Sequence, residues 1–216
     1  MRRGFDILAS SYRRLEAFLA LNKLQEARTA HLSDLSSSSR VLMLGEGPGR
    51  LLEVLVKKLP CSRFVVVDQS QAMLNQALTF LKADSQALER VDWIHGNALE
   101  VSFGVNKFDL VTTPFFLDCF TEAQLSALIP HISEHCSDHA EWLLMDFQIP
   151  STGGWRKVRA RWIHSLMYFF FRQVTGIAAP RWIDPDPFMK SAGFRLQSRI
   201  EFNFGLIRSD LWKRKS

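Results

Sequence analysis

From residue 40 onward, short apolar runs alternate with longer stretches of helical spacing. The runs are "RVLML" (40–44), "RFVVVD" (63–68), "VDWIHG" (91–96), "FDLVTT" (108–113) and "EWLLMDF" (141–147). Most are apolar at successive positions, the pattern of a strand buried on both faces. Helical spacing fills the gaps at 49–59, closed by Pro60; at 71–83, with Ser70 as N-cap; and at 121–135, opened by Thr121. Strands separated by helices predict a parallel sheet covered on both sides, with right-handed crossovers.

The two ends depart from this rhythm. Ahead of it, Phe5, Leu8, Tyr12, Leu15, Phe18, Leu19 and Leu24 recur every three or four positions, predicting an amphipathic helix up to His31, and "SDLSSSSR" (33–40) reads as a connector. Beyond 147 comes a helix-compatible stretch at 154–175, then "APRWIDPDPF". "GFRLQSRIEFNFG" and "LIRSDLWKR" follow too closely for a helix between them, which predicts an antiparallel pair. The expected fold is a three-layer α/β/α, Rossmann-like doubly wound sheet of seven mostly parallel strands with an antiparallel carboxyl-terminal edge pair. At 216 residues it forms one domain, with a helical lead-in over 1–32, a core over 40–147, and a lid helix and strand pair over 148–216.

Composition narrows the class. A hydrophobic share of 47% and a charged share of 23% are those of a soluble globular chain. No segment reaches the ~20 apolar residues that spanning a bilayer requires. The start "MRRGFDILASSYRRLEAF" has no continuous apolar stretch, so the cytoplasm is expected. Cys61, Cys119 and Cys136 are odd in number and widely spaced, as free thiols are. Net charge is +3 over 1–30, −7 over 31–150 and +9 over 151–216, so basic ends flank an acidic middle.

The chemistry gathers where the first run meets its helix. In "LGEGPGR", Gly45, Gly47 and Gly49 fall on the turn after the first strand, where doubly wound sheets bind ligands. Asp68 ends the second strand, at the tip from which a carboxylate accepts from ribose hydroxyls. A dinucleotide site would need a third small residue where Arg50 stands, and a P-loop would need G-K-[ST], which does not follow.

"LGEGPGR", "VVVDQSQAML" (65–74) and "HGNAL" (95–99), in this order and at these strand ends, resemble the three motifs of the class I S-adenosylmethionine-dependent methyltransferases over about residues 40–147. The resemblance implies S-adenosyl-L-methionine as cofactor and S-adenosyl-L-homocysteine as product. It further implies that Gly45, Gly47 and Gly49 pack against the methionine part, that Glu46 holds its amino group and that Asp68 takes the ribose. Gln69 and Met73 would flank the adenine, Asn97 and Ala98 would meet its edge, and Thr113 would border the cofactor. The family often has Asp where this chain has Asn97, whose amide oxygen can still accept.

Asp118 in "PFFLDCF" is the candidate general base for a hydroxyl acceptor, since the loop after the fourth strand borders the cofactor. By analogy with small-molecule members, including the ubiquinone and menaquinone biosynthesis enzymes, Tyr12, Phe115, Trp155 and Tyr168 would line the acceptor pocket. The expected substrate is a small, partly apolar or aromatic molecule. The basic carboxyl-terminal third keeps RNA methylation as an alternative, although Thr113-Pro114-Phe115-Phe116 lacks the amide or acid and second proline of base-amino methylating enzymes. A cofactor-binding scaffold without turnover is a third reading. His131, His135 and His139 stand four apart, but Cys136-Ser-Asp138 ends the helix ahead of His139, and no metal is expected. "WRKVRARWIHSLMYFFFRQ" (155–173) suits packing on the sheet, a lid, or attachment to an anionic membrane. The oligomeric state is not legible.

Overall fold

A computed structural model describes residues 21–82, 84–105, 107–150, 153–175 and 182–215, with the backbone alone for residues 21 and 166–175. The expected parallel sheet is present. Strands β1 (Arg40–Leu44), β2 (Arg63–Asp68), β3 (Val91–His95), β4 (Phe108–Pro114), β5 (Cys136–Phe147), β6 (Phe194–Phe202) and β7 (Ile207–Arg214) form one sheet in the order β3-β2-β1-β4-β5-β7-β6. All neighbours pair parallel except β7, which runs antiparallel to both β5 and β6. Strand β7 of the carboxyl-terminal hairpin thus lies between β5 and β6, leaving β6 at the edge.

Helix α1 (Leu21–Thr29) is the described part of the amino-terminal stripe. It is followed by α2 (Leu52–Lys58), α3 (Gln71–Leu81), the single turn α4 (Ser85–Leu88), α5 (Glu122–Glu134), α6 (Gly154–Thr175) and α7 (Asp186–Ser191). Local chemistry sets their ends. Ser70 accepts from the Met73 N–H at the start of α3. Thr121 and Gln124 form a reciprocal capping box on α5. Helix α2 ends where the Arg90 guanidinium gathers the carbonyls of Val56, Leu59 and Ser62 at 3.0–3.1 Å.

Alternation along the strands sends two sets of side chains to opposite faces. One layer packs Leu42, Leu44, Val65, Val67, Val111, Trp142, Leu144 and Trp212 with α5 and α7 residues such as Leu125, Ile129 and Met189. The other packs Val41, Met43, Phe64, Val66, Leu143, Met145 and Leu211 with α2 and α3. A third cluster joins α1 and α6 to the end of β5 through Leu24, Ala27, Phe147 and Ala160.

Two expectations change. The serine-rich connector is pinned: the Ser36 N–H and Oγ donate to the buried Glu141 carboxylate at 2.9 and 3.0 Å, and the Ser39 N–H donates to Asp109 at 3.0 Å. Strand β5 starts at Cys136 rather than 141, with a register shift against β4 between Phe108 and Leu110 that absorbs its extra residues. Replacing Thr121 with Ala removes one half of the capping box, so we expect a stability loss of about 1 kcal/mol in urea unfolding, largely recovered by Thr121→Ser.

Candidate functional site

The three glycines turn out to serve three different neighbours. All have positive φ, +64 at Gly45, +65 at Gly47 and +90 at Gly49, a region L side chains rarely adopt. A Cβ on Gly45 would lie 2.2 Å from Cδ2 of Phe116, so that ring rests directly on the backbone of the turn. A Cβ on Gly49 would lie 2.8 Å from Cα of Ala77, so Gly49 lets α3 approach. A Cβ on Gly47 would meet nothing within 4 Å. The open side of the turn is therefore at Gly47.

Two hydrogen bonds hold this turn against β2. The Gly45 N–H donates to the Val67 carbonyl at 3.0 Å, and the Gly47 N–H donates to Oδ2 of Asp68 at 3.2 Å. The other Asp68 oxygen accepts from the Ser70 N–H at 2.8 Å. Each oxygen of the Asp68 carboxylate thus accepts a backbone N–H at the end of β2.

Glu46 lies inward, 3% exposed. Its Oε1 accepts from the N–H groups of Leu51 at 2.7 Å and Leu52 at 3.0 Å, so a side chain of the turn itself occupies the start of α2. A phosphate has no place at that helix end, which separates this turn from the dinucleotide-binding kind by chemistry as well as by sequence. Oε2 of Glu46 is buried and has no hydrogen-bond partner among the described residues. Burial raises the Glu46 carboxyl to about 7, against the lowering pull of the Leu52 N–H, Arg28 and the Leu51 N–H.

The remaining cofactor candidates divide. Gln69 is exposed beside Asp68, with its carbonyl 3.1 Å from His95 Nε2, and Met73 is buried on α3. Asn97 is engaged in its own turn: Nδ2 donates to Glu100 at 2.8 Å and Oδ1 accepts from the Leu99 N–H at 3.2 Å. Ala98 is buried in the sheet layer. Thr113 is buried too, its Oγ1 accepting from the Trp142 indole at 3.0 Å.

Asp118 sits on a short 3-10 turn, Leu117–Cys119, directly after β4, and faces Asp146 near the end of β5. Asp146 pairs in register with Arg208 of β7. Burial lifts Asp118 to about 6, with the Cys119 thiol and Asp146 pulling the other way as hydrogen-bond partners. Burial first, and then the Asp118 charge, push Asp146 well above the carboxylate range. Two carboxyl groups in one buried site resist double ionisation, so the pair holds a proton more readily than either would in water. The Cys119 thiol, which donates to Asp118 at 3.5 Å, is raised by burial and by Asp118, Asp146 and Asp68.

Of the acceptor candidates, Phe115 is half-buried against Phe147 at 5.2 Å between ring centroids, with the Arg28 guanidinium 5.1 Å from its ring centre. Trp155 is 59% exposed and lies on the outer surface of α6, so it does not line an interior pocket. Tyr12 and the Tyr168 side chain lie outside the described residues. His131 and His135 both pack on Phe103, at 5.6 and 5.4 Å, whereas His139 is on β5. Among the described residues no group of three or more His, Cys, Asp or Glu is placed to hold a metal ion.

Sequence reasoning missed Phe116, Arg28, Asp146 and Arg208. A signal existed for Asp146, an acid inside the otherwise apolar run "EWLLMDF".

Residues 41–139 match the family model described as a methyltransferase domain. Solved structures share the fold. An O-methyltransferase family protein from Burkholderia thailandensis superposes with a TM-score of 0.71 at 15% identity, over 96% of this chain and 60% of its own. The mitomycin 7-O-methyltransferase MmcR gives 0.69 at 13% identity, over 98% and 60%. A methyltransferase of calicheamicin biosynthesis, solved with S-adenosylhomocysteine bound, gives 0.64 at 15% identity, over 95% and 56%. The chain thus spans about three-fifths of the length of these solved proteins. No curated protein matches it in sequence. Over residues 41–139 the chain is similar to the methyltransferase domain family, and its fold is that of these solved methyltransferases.

The raised Glu46 carboxyl makes a prediction about stability. An acid with a folded value near 7 and an ordinary value of 4.5 favours folding most below pH 4.5, where it is protonated in both states. That contribution disappears as pH rises toward 7, by an amount on the order of 3 kcal/mol, and Asp118 acts in the same direction. Urea midpoints for wild type and Glu46→Gln at pH 5 and pH 7.5 should show a distinctly smaller drop in the variant. Equal drops would mean that Glu46 is ionised throughout.

Proposed function

We propose that this chain transfers a methyl group from S-adenosylmethionine to a hydroxyl of a small, partly apolar or aromatic acceptor. The observation carrying the first half is the junction of Gly47 and Asp68. An open backbone turn and a carboxylate meet at the carboxyl ends of β1 and β2, while Glu46 occupies the helix start that a phosphate would need. This set fits an adenosine that carries no phosphate. Asp68 would receive the ribose hydroxyls, and Gly47 and Glu46 would hold the methionine part, Glu46 through the Oε2 that has no hydrogen-bond partner among the described residues. Gln69 and Met73 would border the adenine.

Bound there, the cofactor supplies a sulfonium-activated methyl group that needs an oriented nucleophile more than covalent help. The Asp118–Asp146 pair sits on the two neighbouring strand ends. Asp118 accepts the hydroxyl proton as the oxygen attacks, a role for which a carboxyl near 6 is better matched to neutral pH than an ordinary aspartate. Asp146 and Arg208 hold Asp118 in place from behind. The solved neighbours named as O-methyltransferases favour oxygen as the acceptor atom, by analogy of fold.

RNA draws less support from the charge distribution than the sequence suggested. Arg199, Arg208 and Lys213 are engaged in ion pairs, and Arg214 caps the Ser133 carbonyl at 2.7 Å, so these four basic residues are taken up by partners within the fold.

Calorimetric titration with S-adenosylhomocysteine tests the binding half. Asp68→Ala should weaken affinity by about ten- to a hundredfold, the loss of hydrogen bonds to a charged acceptor. Equal affinity in both proteins would remove Asp68 from the site. Against a panel of phenols and enolic hydroxyl compounds, Asp118→Asn should lower turnover by about a hundredfold while leaving S-adenosylhomocysteine binding intact. Undiminished turnover would end the role of Asp118 as base.

A further inference from the structure

Trp155, Val158 and Trp162 occupy positions i, i+3 and i+7 of α6 and form a stripe on its outer side, exposed by 59%, 62% and 73%. The inner side, with Ala160 and His164, is buried. Next to this stripe, the hairpin between β6 and β7 presents Phe204, 59% exposed, with its ring centroid 5.6 Å from that of Trp155. Four large apolar side chains therefore form one surface patch.

The hairpin tip keeps Phe204 there at a cost. Asn203 and Phe204 both have left-handed backbone conformations, φ +50 and +59, which non-glycine residues avoid. Arg159 holds the tip to α6: it donates to Oδ1 of Asn203 at 2.9 Å and to its carbonyl at 3.3 Å, and its guanidinium lies 5.6 Å from the Phe204 ring centre. A strained backbone fixed in place to expose a phenylalanine is not what folding alone would select.

Charge identifies the occupant. Around the stripe stand Arg156, Lys157, Arg159 and Arg161, and α6 contains no acidic residue. Two copies of this face brought together would set like charges against each other, whereas an anionic bilayer surface complements them and accepts tryptophan and phenylalanine at its headgroup boundary. Among the described residues no helix is long and apolar enough to cross a membrane, so the contact is peripheral. We propose that the amino-terminal half of α6 and the Asn203–Gly205 tip form a docking surface for anionic lipid membranes. The surface is separate from the methyl-transfer site and does not rest on it.

Sedimentation with large vesicles provides the test. Wild-type protein should pellet with vesicles of phosphatidylcholine mixed with phosphatidylglycerol, hardly at all with phosphatidylcholine alone, and less as salt is raised. The pair Trp155→Ser with Trp162→Ser should reduce partitioning by about tenfold, and Arg156→Ser with Arg161→Ser by about fivefold for each charge removed. Phe204→Gly separates docking from folding: it should weaken vesicle binding while raising the melting temperature, because glycine relieves the left-handed strain. Absence of binding to the anionic vesicles, or binding unchanged by both pairs, overturns the proposal. So does a wild-type dimer in light scattering that Trp162→Ser converts to monomer, since that outcome gives the face to a second copy.

Discussion

One hydrogen bond, from the Gly47 N–H to the Asp68 carboxylate, fixes how the first two strand ends face each other. The Gly45 N–H continues the β1–β2 ladder one step further, to Val67, and the next N–H but one turns to a side chain instead. Strand β1 can therefore leave the sheet without abandoning β2, and its chain enters α2 at an angle that buries Leu51 and Leu52. Glu46 makes that entry possible by satisfying the first two free N–H groups of the helix from inside the turn. Had a ligand phosphate been required for those donors, the turn would be incomplete without it. Here the polypeptide supplies its own acceptor for those donors, and Gly47 and Asp68 remain for the proposed ligand.

A second organising feature lies at the other end of the candidate site. Asp146, Arg208 and Asp210 stand on adjacent strands in an otherwise apolar layer. Arg208 reaches Asp186 on α7 at 2.9 Å, and Arg199 of β6 bridges Asp186 and Asp210 at 2.8 and 2.7 Å. Buried ion pairs contribute little net stability, because desolvation offsets their attraction. Breaking one partner leaves an uncompensated buried charge, however, so the network fixes which arrangement of β7, β6 and α7 is tolerated. It also joins α7 to the residues behind Asp118. The position of the candidate base thus depends on the carboxyl-terminal hairpin, although that hairpin lies beyond the matched methyltransferase domain.

The strands and long helices were legible because their apolar spacing persists over many residues, and Ser70 and Thr121 marked helix starts that the structure places at those residues. The single turn α4 and the six-residue α7 carry too few periods to register, and α7 hides in the proline-rich "DPDPF". At the site, the pairing of a glycine turn with Asp68 was readable because both lie at strand ends fixed by local pattern. What each glycine touches was not, since Phe116 and Ala77 reach the turn from other elements. Asn97 and Thr113 fit a motif by position, while their side chains answer to nearer partners, Leu99 and Trp142. Asp146 is the instructive omission. Its neighbours made it look like part of a buried strand, and only the register with Arg208 explains how a carboxyl group is accommodated there.

Strain completes the connection between fold and site. Phe115 has a left-handed backbone, φ +54, at the point where β4 ends, and its N–H still donates to the Met145 carbonyl at 2.6 Å. Such a conformation costs a β-carbon residue about 1–3 kcal/mol and persists only where surrounding contacts hold it. They do so by separating two adjacent aromatics. The Phe115 ring goes to Phe147 and Arg28, on the side of α1 and the third cluster, while the Phe116 ring goes to the opposite side and lies on Gly45. A relaxed, extended residue at 115 would continue the strand instead of turning the chain, and Phe116 would start from a different place relative to Gly45. The absent side chain at Gly45 and the unfavourable φ at Phe115 are thus complementary: one makes room and the other aims the ring into it. Because Leu117–Cys119 follows at once, the same twist sets where Asp118 begins. The backbone at a single unfavourable residue therefore couples the floor of the glycine turn to the carboxyl pair proposed to receive the proton.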